Sequence, residues 1–595
     1  MCGIVAYVDR NKLDPSYKID FIEKACNCMA VRGPDAQKIW QDENVTLGHR
    51  RLAILDIDPR SNQPFLSMCN RYAIVFNGEI YNFKELRLEC ESVGDIFYTD
   101  SDTEVLLSLY SRYGESMLSR LRGMFAFFIW DKISQEGFAA RDPYGIKPLY
   151  YSQTTNGFIL ASQVKAILAT NEVSYDKNLA AQAGFLLTGS VPEPETWYKD
   201  IYPVLPGYCM RIKNGKITSN QAWHDIRDNW QVEETKEYNN KQIELKFHKA
   251  IRESVSAHMV SDVPVGIFLS GGIDSGSLAG LMKECGAQSI KGITIAFGEF
   301  LEGVEDETPD AIKIAKYYGI EHHIRYVTRE EFEQDFPEII RSMDQPSIDG
   351  VNTWYASKAA SELGLKVVIS GIGGDEILQG YPSFNQIPKI VKIWKVLSKL
   401  PGMMKFSKYA AKIWAKYSSN ERWLYAPVWA LELETTWLLR RGLFAPSELP
   451  HVLGKDLSNR ALREFKPIIW AKGLLTPCPK NPKVALSQIE SLGYLRNQLL
   501  RDVDWASMHH GIEVRTRLVD SFLLKQISPF LNSFENFPNK SLLSTCPALP
   551  LPKEITSKKK TGFGIPIGEW LKQLKIIDGD DSNKEWAKLI MTLTK

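Results

Sequence analysis

Cysteine is scarce in this chain: nine residues, an odd number spread over the whole length, with no CxxC spacing. That excludes the paired framework of a small secreted scaffold and the common thiolate metal sites, and a reducing, cytoplasmic setting is expected. Long apolar runs are absent too. No stretch of about 18 apolar residues occurs, and the opening MCGIVAYVDR lacks the apolar core of a signal peptide. Neither a membrane span nor export by that route is expected. Excess charge is also missing: 72 basic against 71 acidic residues leave a net charge of +1. No global field draws nucleic acid or an anionic membrane, so any phosphate site must be local. There is no collagen-like or disordered bias and no repeat of 20–50 residues. At 595 residues the chain is too long for one ordinary core, and two large domains or more are expected.

Up to about residue 215, short β-rich apolar runs alternate with turn signals, as in ENVTLGHRRLAIL, RYAIVFNGEIYN and RGMFAFFIWDK. Packed sheets with a few helices are predicted there. A polar stretch from Asp225 to Lys241 carries no clear periodicity and reads as a linker. From about residue 240 to 580, VPVGIFL, KGITIAF and LKVVIS are continuous apolar runs of strand length. They are separated by helical patterns such as PDAIKIAKYYG and WYASKAASELG. That order predicts a parallel α/β sheet, and the sequence after Phe384 reads as mostly helical. Its 389–417 stretch holds Lys389, Lys392, Lys395, Lys399, Lys405, Lys408, Lys412 and Lys416 and no acid. With Pro401 and Gly402 breaking it, this run reads as a solvated helical face.

Cys2 directly follows the initiator methionine. With Met1 removed it would carry a thiol and a free α-amine, and that amine can serve as base for its own side chain. Further along, FLSGGIDSG (residues 268–276) ends an apolar strand and precedes a helical run. Ser270, Gly271 and Gly272 would set hydroxyl and N–H groups around phosphate oxygens at a helix N-terminus. Asp274 would repel bare phosphate, a conflict that vanishes if it holds Mg²⁺. VVISGIGGDEI is a second strand ending in a Gly-rich loop, and it offers Asp375 to the same metal.

With RGPD at Arg32 to Asp35, GHRRLAILD, FNGEIYN, SDTE and RDPYGIKPLYY, the first 200 residues resemble the class II, N-terminal-nucleophile glutaminase domain. The resemblance implies an α+β sandwich in which Cys2 attacks the glutamine amide while Asn77 and the Gly78 N–H form the oxyanion hole. It also puts Arg51 on the glutamine carboxylate, with Glu79 and Asp102 near its amino group. SGGIDS resembles the ATP-pyrophosphatase signature, and GIGGDE, YLRNQLLRDVDWASMHHGIEVRTRLVD and KKKTGFGIP narrow this to the asparagine synthetase group. That implies a doubly wound sheet with a helical C-terminal part. ATP contacts would come from Leu269, Ser270, Gly271, Gly272, Asp274, Ser275, Ile295, Ser370 and Gly371, Mg²⁺ ligands from Asp274 and Asp375, and Lys560 would neutralise the pyrophosphate. Glu513, Arg515 and Asp520 match the pattern and read mainly as structural ion pairs. Because ammonium is no nucleophile, a shielded passage should join the two sites.

The implied activity is ATP-dependent amidation of a carboxylate, aspartate first, with ammonia from glutamine. The partners are small molecules (glutamine, ATP and the acceptor), without nucleic acid or stable membrane insertion, and a homodimer is left open. Val31, Gln163, Gln379 and Arg517 depart tolerably from the usual pattern. Ile372 departs more seriously, since it stands where asparagine synthetases tend to carry an acid, and isoleucine accepts no proton. Another carboxylate, such as a polysaccharide uronic acid or a natural-product precursor, is the first alternative, with DQPSIDGVN from Asp344 shaping its pocket. A non-catalytic binding protein is the second. Retention of Cys2, Asn77, Asp274, Asp375 and Lys560 together speaks against that one.

Overall fold

The computed structural model describes residues 2–594 except 232–237, 287–288, 302, 304–305, 419, 559–563 and 579–580. Its first half is two six-stranded antiparallel sheets laid face to face. Strands β1 (Gly3–Asp9) and β2 (Val45–Arg51) pair in one sheet; β3 (Tyr72–Ile80) and β4 (Gly123–Asp131) pair in the other. Period-two alternation explains the layering. From β1, Ile4, Ala6 and Val8 enter the core between the sheets, while Val5 and Tyr7 face the outer helix Pro15–Cys28. From β3, Ala73 and Val75 enter that same inner core. Ile74 and Phe76 meet Val105, Leu106 and Leu109 of α1 (Asp102–Tyr113). The result is an α–β–β–α sandwich, with every residue of β1 buried on both faces.

The second half centres on five parallel strands: β5 (Val265–Phe268), β6 (Lys291–Phe297), β7 (Glu321–Val327), β8 (Val367–Ser370) and β9 (Glu513–Thr516), in the order β7-β6-β5-β8-β9. The order reverses between β5 and β8, so the loops after these two strands open one crevice, the usual ligand position in doubly wound sheets. Helix α2 (Ile273–Glu284) follows β5 directly. The remaining chain is mainly helical, including α3 (Ser383–Leu397), α4 (Met403–Tyr417) and α5 (Leu433–Arg441).

Both boundaries read from the sequence shift. The N-terminal sheet runs on through Lys216–Ala222, past residue 215. Of the expected linker, residues 232–237 lie outside the described residues; before them a 3₁₀ turn at Ile226–Trp230 buries Ile226 and Trp230 in the core of the second half, and after them a helix starts at Asn240. At the far end, helix Ser582–Leu593 runs past residue 580 and contributes Trp586 and Ile590 to an apolar cluster with Trp354 and Trp570. Burial of these aromatics overrides the polar composition that suggested free chain. The halves also share apolar packing, because Tyr81, Met124, Tyr144 and Ile146 join the cluster that holds Leu278 and Leu518.

Candidate active sites

Cys2 leads into β1, buried to 8% exposure, and its nitrogen donates to Asn77 Oδ1 at 2.8 Å. Asn77 has no exposure at all, because its position on β3 shares the parity of Ala73 and Val75 and faces the opposing sheet. With Oδ1 taken by Cys2, its Nδ2 has no acceptor among the described residues. A buried amide with an unused donor costs about 1–3 kcal/mol, so the fold maintains it against a price. Such a donor beside a thiol suits an oxyanion that forms only during reaction. Gly78 must be glycine here: a Cβ would stand 2.1 Å from the Met124 carbonyl oxygen, and its φ is +154°. Burial pushes the Cys2 thiol up.

Arg51 closes β2 and spends its guanidinium on the loop that follows. It donates to the carbonyls of Asp58 (2.9 Å), Leu55 (3.3 Å) and Asp56, and to Asn62 Oδ1 (2.7 Å). Glu79 and Asp102 are both buried, and Asp102 Oδ2 accepts the Ile80 N–H at 3.0 Å. Burial lifts the Asp102 carboxyl to about 6, and burial followed by Glu513 lifts Glu79 well above the usual carboxylate range. Glu513 belongs to β9 of the other half. Arg515 sits there as well, 2.6 Å from Glu513 and 3.7 Å from Glu79. Asp520 pairs with Arg122 at 2.5 Å, and Arg32 forks onto Asp504 at 2.6 and 3.0 Å. Glu513, Arg515 and Asp520 therefore do stand in ion pairs, and these join the halves.

In the crevice between β5 and β8, Ser270 Oγ lies 2.9 Å from Ser275 Oγ and accepts the Gly272 N–H at 3.2 Å. Leu269 continues the β5 pairing by donating to Ile293 O at 2.8 Å, while Ile295 and Ser370 are buried on β6 and β8. Glycine is dictated by crowding: a Cβ on Gly371 would lie 3.0 Å from Asp274 Cβ, and one on Gly374 only 2.6 Å from Asp274 Oδ1. The two loops thus press Asp274 and Asp375 together. Between them stands a residue the sequence reading passed over. Lys540 Nζ lies 2.5 Å from Asp274 Oδ2 and 2.5 Å from Asp375 Oδ1. It is delivered by two consecutive left-handed residues, Asn539 (φ 52°) and Lys540 (φ 53°), a conformation that costs non-glycine residues about 1–3 kcal/mol each. Although burial disfavours its charge, the two carboxylates hold the Lys540 ammonium above its usual range.

Two carboxylates converging on one cation fit the protein share of a Mg²⁺ site. Among the described residues no three His, Cys, Asp or Glu gather round one point. Glu376, also passed over, is buried and accepts the Tyr381 hydroxyl at 2.7 Å; burial, then Asp375, push it up to about 7. Ile372 is half-buried against apolar clusters, with its N–H 3.4 Å from Ser370 Oγ. Lys560 lies outside the described residues. Lys558, just before it, pairs with Asp310, against which a Cβ on Gly271 would press at 2.9 Å.

A cavity of about 490 Å³ opens nearby, lined among others by Asp349, Arg441, Trp437, Tyr494 and Trp586. Tyr494 is one ring away from Tyr381, their centroids 6.4 Å apart, and so one step from Glu376 and Asp375. The DQPSIDGVN segment divides its work. Ile348, Asp349 and Asn352 line this cavity, whereas Asp344 turns away and accepts the N–H groups of Val164 (2.9 Å) and Lys165 (3.1 Å) in the first half.

Comparison with known proteins gives residues 1–224 as matching a glutamine amidotransferase domain and residues 246–581 as matching asparagine synthase. The chain is 32% identical to the glutamine-hydrolysing asparagine synthetase 1 of Bacillus subtilis over 600 residues, 99% of this chain and 90% of that one. It is 29% identical to a glutamine-hydrolysing asparagine synthetase, itself named putative, of Mycobacterium tuberculosis, with the same coverage of 99% and 90%. The amidase chry2 of Gibberella zeae is 30% identical over 65% of this chain and 60% of its own length.

Proposed function

Since this chain belongs to the asparagine synthase family and carries that family's amidotransferase domain, we propose that its two crevices split one amidation between them. At the first, Cys2 Sγ attacks the side-chain amide carbon of glutamine, Asn77 Nδ2 and the Gly78 N–H receive the oxyanion, and ammonia leaves a thioester that water hydrolyses to glutamate. Arg51 serves the glutamine carboxylate, and Glu79 with Asp102 serve its amine. At the second, an acceptor carboxylate oxygen attacks the α-phosphorus of ATP and pyrophosphate leaves. Ammonia then attacks the acyl carbon, AMP leaves, and one proton is lost. The loops at Ser270–Ser275 and Ser370–Gly371 hold the phosphates, Asp274 and Asp375 would hold Mg²⁺, and Lys560 would neutralise the leaving group. Bound there, Mg²⁺ would neutralise phosphate charge. The Glu79–Arg515 and Arg122–Asp520 ion pairs, which join the halves, support a passage between the sites that excludes bulk water. Nine free cysteines support a cytoplasmic setting.

The observation that carries this reading is the unspent Asn77 donor beside Cys2, joined through a buried interface to a crevice where two carboxylates converge. The test is Cys2→Ala. Glutamine-dependent product should vanish while pyrophosphate release with an ammonium salt persists, and glutamine consumption at the parent rate would refute the nucleophile. Formation of ADP and orthophosphate instead of AMP and pyrophosphate would refute adenylation.

Free aspartate is the acceptor that the relatives' names suggest. A bulkier carboxylate is favoured by the cavity, since volumes of about 300–1,000 Å³ suit drug-sized ligands. A screen that varies the carboxylate at fixed ATP, Mg²⁺ and glutamine, reading pyrophosphate, separates the two.

A further inference from the structure

The lysine-rich stretch folds as two helices, α3 and α4, broken at Pro401 and Gly402, where Gly402 takes φ +74°. Helix α3 is anchored: Phe384, Ile387 and Val391 pack with Trp437 and Leu438 of α5. Helix α4 buries only Ser407 and Ala415. Its large apolar residues point the other way. Phe406, Tyr409, Ile413 and Tyr417, spaced three to four residues apart, form one stripe, and Phe406, Tyr409 and Tyr417 are 65%, 66% and 82% exposed. Lys405, Lys408, Lys412 and Lys416 run beside them with the same spacing, and α3 adds exposed Ile393 and Val396. Among the described residues only Lys395 of the eight lysines has an ion-pair partner, Glu432 at 3.2 Å.

A stripe of large apolar side chains in water is unfavourable, and monomers rarely expose a contiguous patch of this kind without using it. We propose that α4, with the exposed residues of α3, docks the protein on an anionic lipid surface, lying in the interface without spanning it. The charge arrangement selects that occupant. Eight lysines and no acid seek negative charge, and a second copy would bring the same lysines face to face. Nucleic acid would use the lysines but leave Ile393, Val396 and Ile413 without a partner. Hydrocarbon beneath a layer of anionic headgroups satisfies both stripes at once. No helix among the described residues is long and apolar enough to cross a membrane, so docking would be peripheral and salt-sensitive.

Flotation of the full chain with phosphatidylcholine vesicles, with and without phosphatidylglycerol, tests this. Binding is expected on the anionic vesicles, weakly or not at all on the neutral ones, and to fade as salt rises. Each lysine near the surface should contribute roughly fivefold, so the variant K405Q/K408Q/K412Q/K416Q should lose on the order of several hundred-fold in partitioning. F406S/I413S should release the protein too. Both should keep the pyrophosphate release of the parent in solution; if the serine variant misfolds, the glutamine variant alone decides. Failure of the parent to float with anionic vesicles overturns the proposal, as does vesicle binding that survives the lysine changes. A dimer that F406S/I413S dissociates, or RNA binding in place of vesicle binding, overturns it as well.

Discussion

At Cys2 the first half keeps a neutral donor unspent, the Asn77 amide, in a place where no described residue can use it. At Asp274 and Asp375 the second half does the opposite and meets two negative charges with a built-in cation, Lys540. On the proposed reaction, the difference follows the charge each site must meet. An oxyanion exists only in passing, so its partner can wait uncharged at a cost of about 1–3 kcal/mol. Two neighbouring carboxylates repel each other, and a cation between them offsets that repulsion. Lys540, 2.5 Å from each, is that cation.

The sharpest way to break the comparison is at the donor. Asn77→Ala should lower glutaminase kcat by about 10²–10³-fold, the usual cost of one oxyanion-hole donor, and leave ammonia-dependent synthesis intact. Steady-state glutamate release measures it, and a loss confined to KM would make Asn77 a binding residue only. Next comes the cation. Lys540→Met removes the cation that two half-buried carboxylates share, and removing one partner of a buried pair costs up to about 3–5 kcal/mol. Thermal unfolding of this variant should fall well below the parent in EDTA and recover much of the gap in Mg²⁺. An equal deficit in both buffers would show that Lys540 stabilises the fold without standing in for the metal.

Much of the contrast was legible beforehand, and the reasons differ by residue. The strands at Gly3–Asp9, Val265–Phe268 and Val367–Ser370 appear as apolar runs, and the glycines of the two loops mark positions where a Cβ has no room. Lys540 left no signal, because FPNKSLLS carries no motif and the residue acts only once the chain has brought it 266 positions back to Asp274. The Arg32–Asp504 pair, 472 positions apart, is invisible for the same reason. On α4 the spacing of Phe406, Tyr409, Ile413 and Tyr417 was in plain view, yet periodicity tells which residues share a face and never whether a neighbour covers it. The sequence reading made the lysine run a solvated face, and its eight lysines are exposed; the apolar stripe beside them, which that reading left aside, is exposed too.

A smaller effect concerns pH, where the two halves should part again. Asp102 has its carboxyl raised to about 6 by burial, from the usual 3.8. A raised carboxyl favours the protonated fold, so its contribution to stability is present in acid and is lost as pH rises through about 6. Its proposed role beside the glutamine amine needs the opposite form. Glutaminase kcat/KM should therefore climb as pH passes about 6, tenfold per unit below it, while ammonia-dependent synthesis keeps a different profile. Asp102→Asn should remove that limb. If the limb stays in place, another group, Glu79 first, is the one titrating.

The smallest effect is expected at Ile372, and it bears on which acceptor the second half serves. Loss of a proton from attacking ammonia is a step where a positioned base typically contributes about 10²–10⁴-fold, and isoleucine supplies none of it. The side chain is half-buried against apolar clusters, so a glutamate there would be poorly solvated and would sit near Asp274, Asp375 and the phosphates. Those penalties take back most of the gain. With aspartate as acceptor, Ile372→Glu should raise single-turnover amidation by no more than about tenfold and leave the AMP-forming step alone, with Mg²⁺ affinity measured alongside. If amidation is unchanged while ATP and Mg²⁺ still bind, the absent acid does not limit this enzyme. Ile372 then serves as an apolar wall for the acceptor, and the carboxylate to look for is one large enough to reach from the phosphates into the cavity beside Tyr494.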